Sequence, residues 1–188
     1  MSETPKPTVP EGRRIYMTGE FNEDKAEKII TSLLDMEAKN PLKDIMLYID
    51  SYGGYVDSFF AIHDTIRMLR CNVATISIGK TMSCGFMLLI SGTPGLRFIT
   101  QNSRVLIHEI SSFNFGKVSE METEINEVKR LQKKFTSLIL QYTQISEKEL
   151  EKIFRKEYYI DANECRKMGI VDHVITSNKD LYRKVNIK

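Results

Sequence analysis

The sequence predicts an α/β fold built on a parallel sheet, and three observations carry that expectation. Residues 44–49 (Asp-Ile-Met-Leu-Tyr-Ile) and 73–78 (Val-Ala-Thr-Ile-Ser-Ile) are strand-length runs without the polar alternation of a half-exposed strand. Such runs read as strands covered on both faces. Amphipathic stretches of helical period separate the strands, so the order runs strand, helix, strand, helix, with right-handed crossovers. Glycines follow the apolar runs at Gly53, Gly54 and Gly79, where close backbone approach is needed.

Taken in order, residues 1–13 form a Pro-rich lead that reads as disordered, and residues 14–19 a short strand ending in a turn. Residues 23–39 place Ala26, Ile29, Ile30, Leu33 and Leu34 on one helical face, and Asn40-Pro41 stops that helix. The strand at 44–49 runs into Asp50-Ser-Tyr-Gly-Gly54, a turn, and a helix over 56–69 follows. After the strand at 73–78 comes the stretch 79–89, with an apolar helical run from Phe86. Strands follow at 96–100 and 104–107, the second ending at His108. Residues 110–116 are polar and aromatic and read as an extended arm. The longest helix spans 118–142, with Met121, Ile125, Val128, Leu131, Phe135, Leu138 and Tyr142 on one face. Ser146-Glu-Lys-Glu149 is a capping box opening a further helix. Short extended pieces at 157–160 and 169–175 flank a helix from Ala162. The residues after Ser177 read as a loose tail, so the expected domain is 14–177, with 178–188 outside it.

Composition narrows the function. The chain has 188 residues, 41% of them hydrophobic, enough for the core of one domain. Its 27 basic and 25 acidic residues nearly balance, which gives no reason to expect nucleic acid or an anionic membrane as partner. The longest apolar stretches fall far short of the roughly 18 residues a membrane span requires. The N-terminus lacks the apolar core of a signal peptide. Three cysteines, Cys71, Cys84 and Cys165, are odd in number and lack metal-ligand spacing, as expected of a protein in a reducing cytoplasm.

The chemistry gathers at three places. Ser83 stands at a strand-to-helix turn, where the first helical N–H groups lack partners and favour negative charge. A serine there serves either as a helix cap or as a nucleophile beside an oxyanion site. Gly53-Gly54 lies between a buried strand and a helix, where backbone N–H groups approach a ligand closely. His108 ends a strand, whereas His63 sits within a helix and reads as structural. Acyl transfer needs these roles: a nucleophile, a base, a carboxylate to orient it, and two N–H donors for the oxyanion.

The motifs Asp50-Ser-Tyr-Gly-Gly54, Ala61-Ile-His-Asp-Thr65, Met82-Ser-Cys-Gly-Phe86, Asn102-Ser-Arg-Val-Leu-Ile-His108 and Ala162-Asn-Glu-Cys…Gly169-Ile-Val-Asp172 together resemble the proteolytic subunit of the Clp protease family. The intervals also match without gaps: 29 residues from Gly54 to Ser83 and 25 from Ser83 to His108. The resemblance runs from about residue 14 to residue 175. It implies the spiral ββα superhelix shared with crotonases, with a head domain and a protruding handle helix at about 110–145. The implied activity is a serine endopeptidase acting on peptides or unfolded proteins, with no cofactor and no metal. Ser83 is the implied nucleophile, His108 the base, and the N–H groups of Gly54 and Cys84 the oxyanion hole. The implied assembly is a homo-oligomer of two stacked seven-membered rings, fed by an AAA+ ATPase ring.

The sequence departs from the family pattern at several points. Glu157, 49 residues after His108, stands where the family has the orienting aspartate, with Asp161 as a fallback. The usual His-Gln-Pro reads His108-Glu109-Ile110. Ser112 and Phe113 replace glycines in the segment that pairs with substrate, so Phe113 is expected to narrow the groove. Residues 113–117 are expected to form a strand beside the handle. Tyr52 replaces a proline. Only 13 residues precede Arg14, where the family carries an axial-pore hairpin and a first helix, so engagement of a Clp ATPase in the usual way is not expected. Two other readings follow from the same residues: an inactive or regulatory ring subunit, and a crotonase-type acyl-CoA enzyme.

Overall fold

The computed structural model describes residues 12–113 and 115–186, so the lead at 1–11 and Asn114 lie outside the description. The two apolar runs become the middle of a parallel sheet. β1 (Arg14–Phe21), β2 (Ile45–Gly54), β3 (Val73–Met82) and β4 (Arg97–Thr100) lie side by side, and β7 (His173–Ile175) closes the far edge. All four junctions are parallel. Helices α1 (Glu23–Lys39), α2 (Val56–Met68) and α3 (Cys84–Ile90) link the strands, and their apolar sides bury Ile29, Leu33, Phe59, Ile62 and Leu88 against them. The alternation read from the sequence is therefore correct: a mixed α/β chain on a largely parallel sheet.

The strands run further than expected. β2 continues through the predicted turn to Gly54, still paired with β1 at Glu20–Gly53 and Phe21–Gly54, after an irregularity between Ile49 and Ser51. β3 likewise continues past residue 78 and changes partner as it goes. Thr75, Ile76 and Ser77 pair with β4, while Lys80, Thr81 and Met82 pair with β5 (Arg104–Ile107). Between the two sets lies Gly79 at φ 65°, a bend that a side chain would resist. β5 in turn takes β6 (Tyr158–Asp161) as an antiparallel neighbour.

Helix α4 (Val118–Tyr142) has the bounds the sequence predicts, but it buries only Phe135 and Ile139, and Val118 and Ile125 are exposed. Its inward stripe passes through Gln132 and Ile139, neither of which the apolar spacing had selected. Among the described residues of 108–117 there is no strand, contrary to expectation. An extended segment needs a neighbouring strand to satisfy its backbone, and none lies beside it here.

The tail is also not loose. After α5 (Glu147–Phe154) and α6 (Ala162–Lys167), a capping box of Ser177 and Asp180 opens α7 (Asn178–Tyr182). Leu181 and Val185 are buried in a second apolar cluster with Met46, Ile76 and Phe98, on the opposite side of the sheet from the main core. The Asn186 N–H donates to Asp44 at 2.7 Å. The far face of the sheet needs this cover, which is why its strands show no polar alternation. No helix among the described residues is long and apolar enough to cross a membrane.

One ion pair locks the lower half together. Arg97 Nη2 and Nε donate to the two oxygens of Asp172 at 2.6 and 3.0 Å, and Arg97 Nη1 donates to the Tyr142 carbonyl at the end of α4. Burial by itself would raise the Asp172 pKa. The side-chain and backbone N–H donors of Arg97, with that of Gly95, outweigh it and hold the carboxyl below its ordinary value. A depressed carboxylate contributes stability above its unfolded pKa and loses it as pH falls through the folded value. Acid should therefore weaken the fold below about pH 4. Asp172→Asn should lose about 3 kcal/mol at pH 7 by leaving Arg97 unbalanced, measured by urea unfolding, with a smaller acid-dependent loss than wild type.

Candidate active site

Ser83 is the single non-glycine residue with positive φ among those described, at φ 54° and ψ −123°. A bulky β-branched side chain would be poorly tolerated there, and the strain is of order 1–3 kcal/mol. The conformation follows from its two neighbours. β3 ends on β5, so the Ser83 N–H donates to the Leu106 carbonyl at 3.1 Å. One residue later the chain has turned into α3, where the Ser83 carbonyl accepts from Met87 N–H at 3.1 Å. Its side chain caps nothing, although Ser83 occupies the N-cap position. A capping serine would bond the second or third helical N–H; this hydroxyl is left for other work.

The end of β2 presses directly on this turn. A Cβ on Gly53 would fall 2.6 Å from Ser83 Cβ, and one on Gly54 would fall 2.4 Å from the Phe21 carbonyl oxygen. Both glycines lie at positive φ, 111° and 143°. The paired glycines are thus a steric condition for bringing the β2 backbone up to Ser83. The Ser51 hydroxyl supports the bend by accepting from Gly53 N–H at 3.0 Å. Cys84, the next residue, turns inward and donates its Sγ–H to the Gly54 carbonyl at 3.3 Å. Burial, opposed only in part by hydrogen bonds, pushes its thiol up to about 12. Cys84 is therefore no competitor to Ser83 as a nucleophile.

His108 follows the last residue of β5, two positions after the carbonyl held by Ser83. It is half-buried and lines one pocket with Ser83 and Gly54. Glu157 directly precedes β6, is exposed, and does not line this pocket. The antiparallel register pairs Arg104 with Asp161 and ends at Ile107 with Tyr158, one residue short of both His108 and Glu157. Asp161 lies at the other end of that ladder, about 13 Å of strand away. Its carboxylate accepts from Glu164 N–H at 2.9 Å as the N-cap of α6. The fallback orienter is thus committed elsewhere. Among the described residues, no hydrogen bond joins Ser83 to His108 or His108 to Glu157.

The pocket is small, about 50 Å³, and opens to solvent. Phe86, Met87, Ile110, Phe135, Ile139 and Phe154 make it apolar, and Glu109, Ser111 and Gln132 add polar edges. Ser112 and Phe113 do not line it. Ser112 donates to Glu124 on α4 at 3.1 Å, and Phe113 is 95% exposed. The expected narrowing by Phe113 is not seen in this chain on its own. Tyr52 also points outward, with Lys80 Nζ 4.7 Å from its ring centre. His63 is structural, as expected. The Ser91 hydroxyl donates to the Met87 carbonyl and so accepts from His63 Nδ1–H at 2.8 Å, while burial lowers the imidazole pKa. Gln132, Ile139 and Phe154 escaped the sequence reading. The signal for Gln132 was present: it interrupts the apolar progression Val128, Phe135, Ile139 with a neutral polar group.

The Clp protease family model matches residues 6–178, nearly the whole chain. The chain belongs to the Clp protease family. That membership accounts for the order of strands and motifs together, and it implies a serine peptidase in general terms. Clp proteases are typically oligomeric, which suits the exposed apolar residues at the start of α4. Within this Clp protease, the thiol at 84 should remain inert. Iodoacetamide at pH 8 should leave Cys84 unmodified in the folded protein while alkylating all three cysteines after unfolding, as read by peptide mass spectrometry.

Proposed function

We propose that this chain is a serine endopeptidase of the Clp type, cutting peptides or unfolded proteins through an acyl-enzyme. The observation that carries this reading is Ser83 itself: a strained, uncapped serine, pressed by Gly53 and sharing one pocket with His108. His108 takes the hydroxyl proton as Ser83 Oγ attacks the substrate carbonyl carbon. The N–H groups of Gly54 and Cys84 stabilise the resulting oxyanion. His108 then returns the proton to the leaving amine, the C–N bond breaks, and water attacks the acyl-enzyme by the same route. Glu157 holds the imidazole in the tautomer that leaves its reacting nitrogen free. The extra methylene of glutamate over aspartate lengthens its reach from the end of the β5–β6 ladder, where Glu157 and His108 each stand one residue beyond the last pair. No cofactor or metal takes part in this mechanism.

In this reading the fold is the spiral ββα superhelix with a head domain. Helix α4 is its handle, and the functional unit is a ring of copies, in stacked sevens, that encloses the sites in a chamber. The sparse burial of α4 supports this: a 25-residue amphipathic helix with only two fully buried residues has apolar surface left for another subunit. An AAA+ ATPase that delivers substrate is a compatible partner.

Ser83→Ala should abolish cleavage of fluorogenic peptides and labelling by a fluorophosphonate probe. Labelling that survives in the variant would sink the assignment. A second reading, a ring subunit without activity, is favoured by the missing Ser83–His108 hydrogen bond in the single chain. A fully assembled wild-type oligomer that neither cleaves nor labels would establish it. The two carboxylates are separable by mutation. Glu157→Gln should lower kcat at least about tenfold, whereas Asp161→Asn should leave kcat within about twofold while lowering Tm through the lost cap charge.

A further inference from the structure

We propose that Gln132 is a positioning residue that clamps the backbone carrying His108 to helix α4. The role of His108 rests on the peptidase reading above; the clamp itself rests on geometry alone. The chain around His108 is held at two points placed symmetrically about it. Two residues before, the Leu106 carbonyl accepts from the N–H of Ser83 at 3.1 Å. Two residues after, the N–H of Ile110 donates to Gln132 Oε1 at 2.8 Å. The first clamp ties the base to the nucleophile's own backbone, and the second ties it to α4.

The second clamp is needed because β5 ends at Ile107. Residues 108–110 have left the ladder, so a part-buried N–H at Ile110 has no strand partner and must find an acceptor. Gln132 supplies it from the inward stripe of α4. The choice of side chain is informative. Its Oε1 is used, but its Nε2 is enclosed and has no hydrogen-bond partner among the described residues. An orphaned donor is costly, so the residue is placed there for its oxygen. A carboxylate would remove the orphan at the cost of a charge beside Phe135 and Ile139, and an aliphatic side chain would leave the Ile110 N–H bare. Glutamine is the neutral acceptor of the right length. The pattern described above has proline at this position, a residue with no N–H to satisfy; here isoleucine brings one, and Gln132 answers it.

The test separates a clamp from a packing role. Gln132→Met keeps the volume and loses the acceptor. It should lower kcat about tenfold on a fluorogenic peptide with little change in KM, because the substrate pocket survives while the base is displaced. Ile110→Pro removes the N–H, so adding Gln132→Met to that variant should cost less than about threefold more. An independent readout needs no turnover: the Ile110 amide should be protected from hydrogen exchange in the wild type and lose that protection in Gln132→Met. Equal losses in both backgrounds, or unchanged Ile110 exchange, would overturn the clamp. If the wild type shows no Ser83-dependent cleavage, the peptidase reading fails instead, and the exchange measurement alone still decides the clamp.

Discussion

The site depends on the absence of one carbon atom. Gly53 has no Cβ, and the space that atom would occupy is where Ser83 sits. Remove that allowance and β2 cannot run on to Gly54 beside the turn. The β2 backbone then no longer lies against Ser83. Gly54 repeats the condition one residue later against the backbone of β1. A constraint of this kind is all-or-none, since a clash of 2.4–2.6 Å cannot be relieved by a rotamer change. The positive φ of Ser83 is the other half of the same fit, a local cost that the paired strands on either side overrule.

Much of this was legible in sequence. The apolar runs gave the central strands because both faces of the sheet are covered, one by the main core and one by the cluster around Phe98. Helix α4 could be bounded to the residue, since its apolar period is local. What escaped was set by pairing between distant segments. The extension of β2 through Gly54 depends on β1, and that of β3 through Met82 depends on β5. No periodicity within either segment announces those partners. The tail misled for a related reason: Leu181 and Val185 are too few to signal a helix, yet the uncovered side of the sheet makes their burial favourable.

The site shows the same division. Ser83, His108 and Gly54 were found from ordered motifs, and the fold brings all three to one pocket. Glu157 was reached by counting residues; the β5–β6 ladder stops one residue short of it, and it stands exposed outside the pocket. Ser112 and Phe113 were misjudged because their place depends on what the segment pairs with. Gln132 was missed because one polar residue in an amphipathic helix reads as surface; its break in the apolar progression was the signal, and the contact with Ile110 gives it a use.

The fork in β3 has a consequence for how the molecule opens. Its first half belongs to the five-strand parallel sheet and its second half to the small β5–β6 ladder, with Gly79 as the joint. Thr81 in the second half still pairs with Ser51 on β2, and Val105, Ile107 and Ile160 of the short ladder pack in the main core, so the two ladders form one cooperative unit. Ser83 is bonded through its N–H to the Leu106 carbonyl on the short ladder, two residues before His108. The turn at residue 83 and the strand end at residue 108 therefore keep their spacing for as long as the core holds.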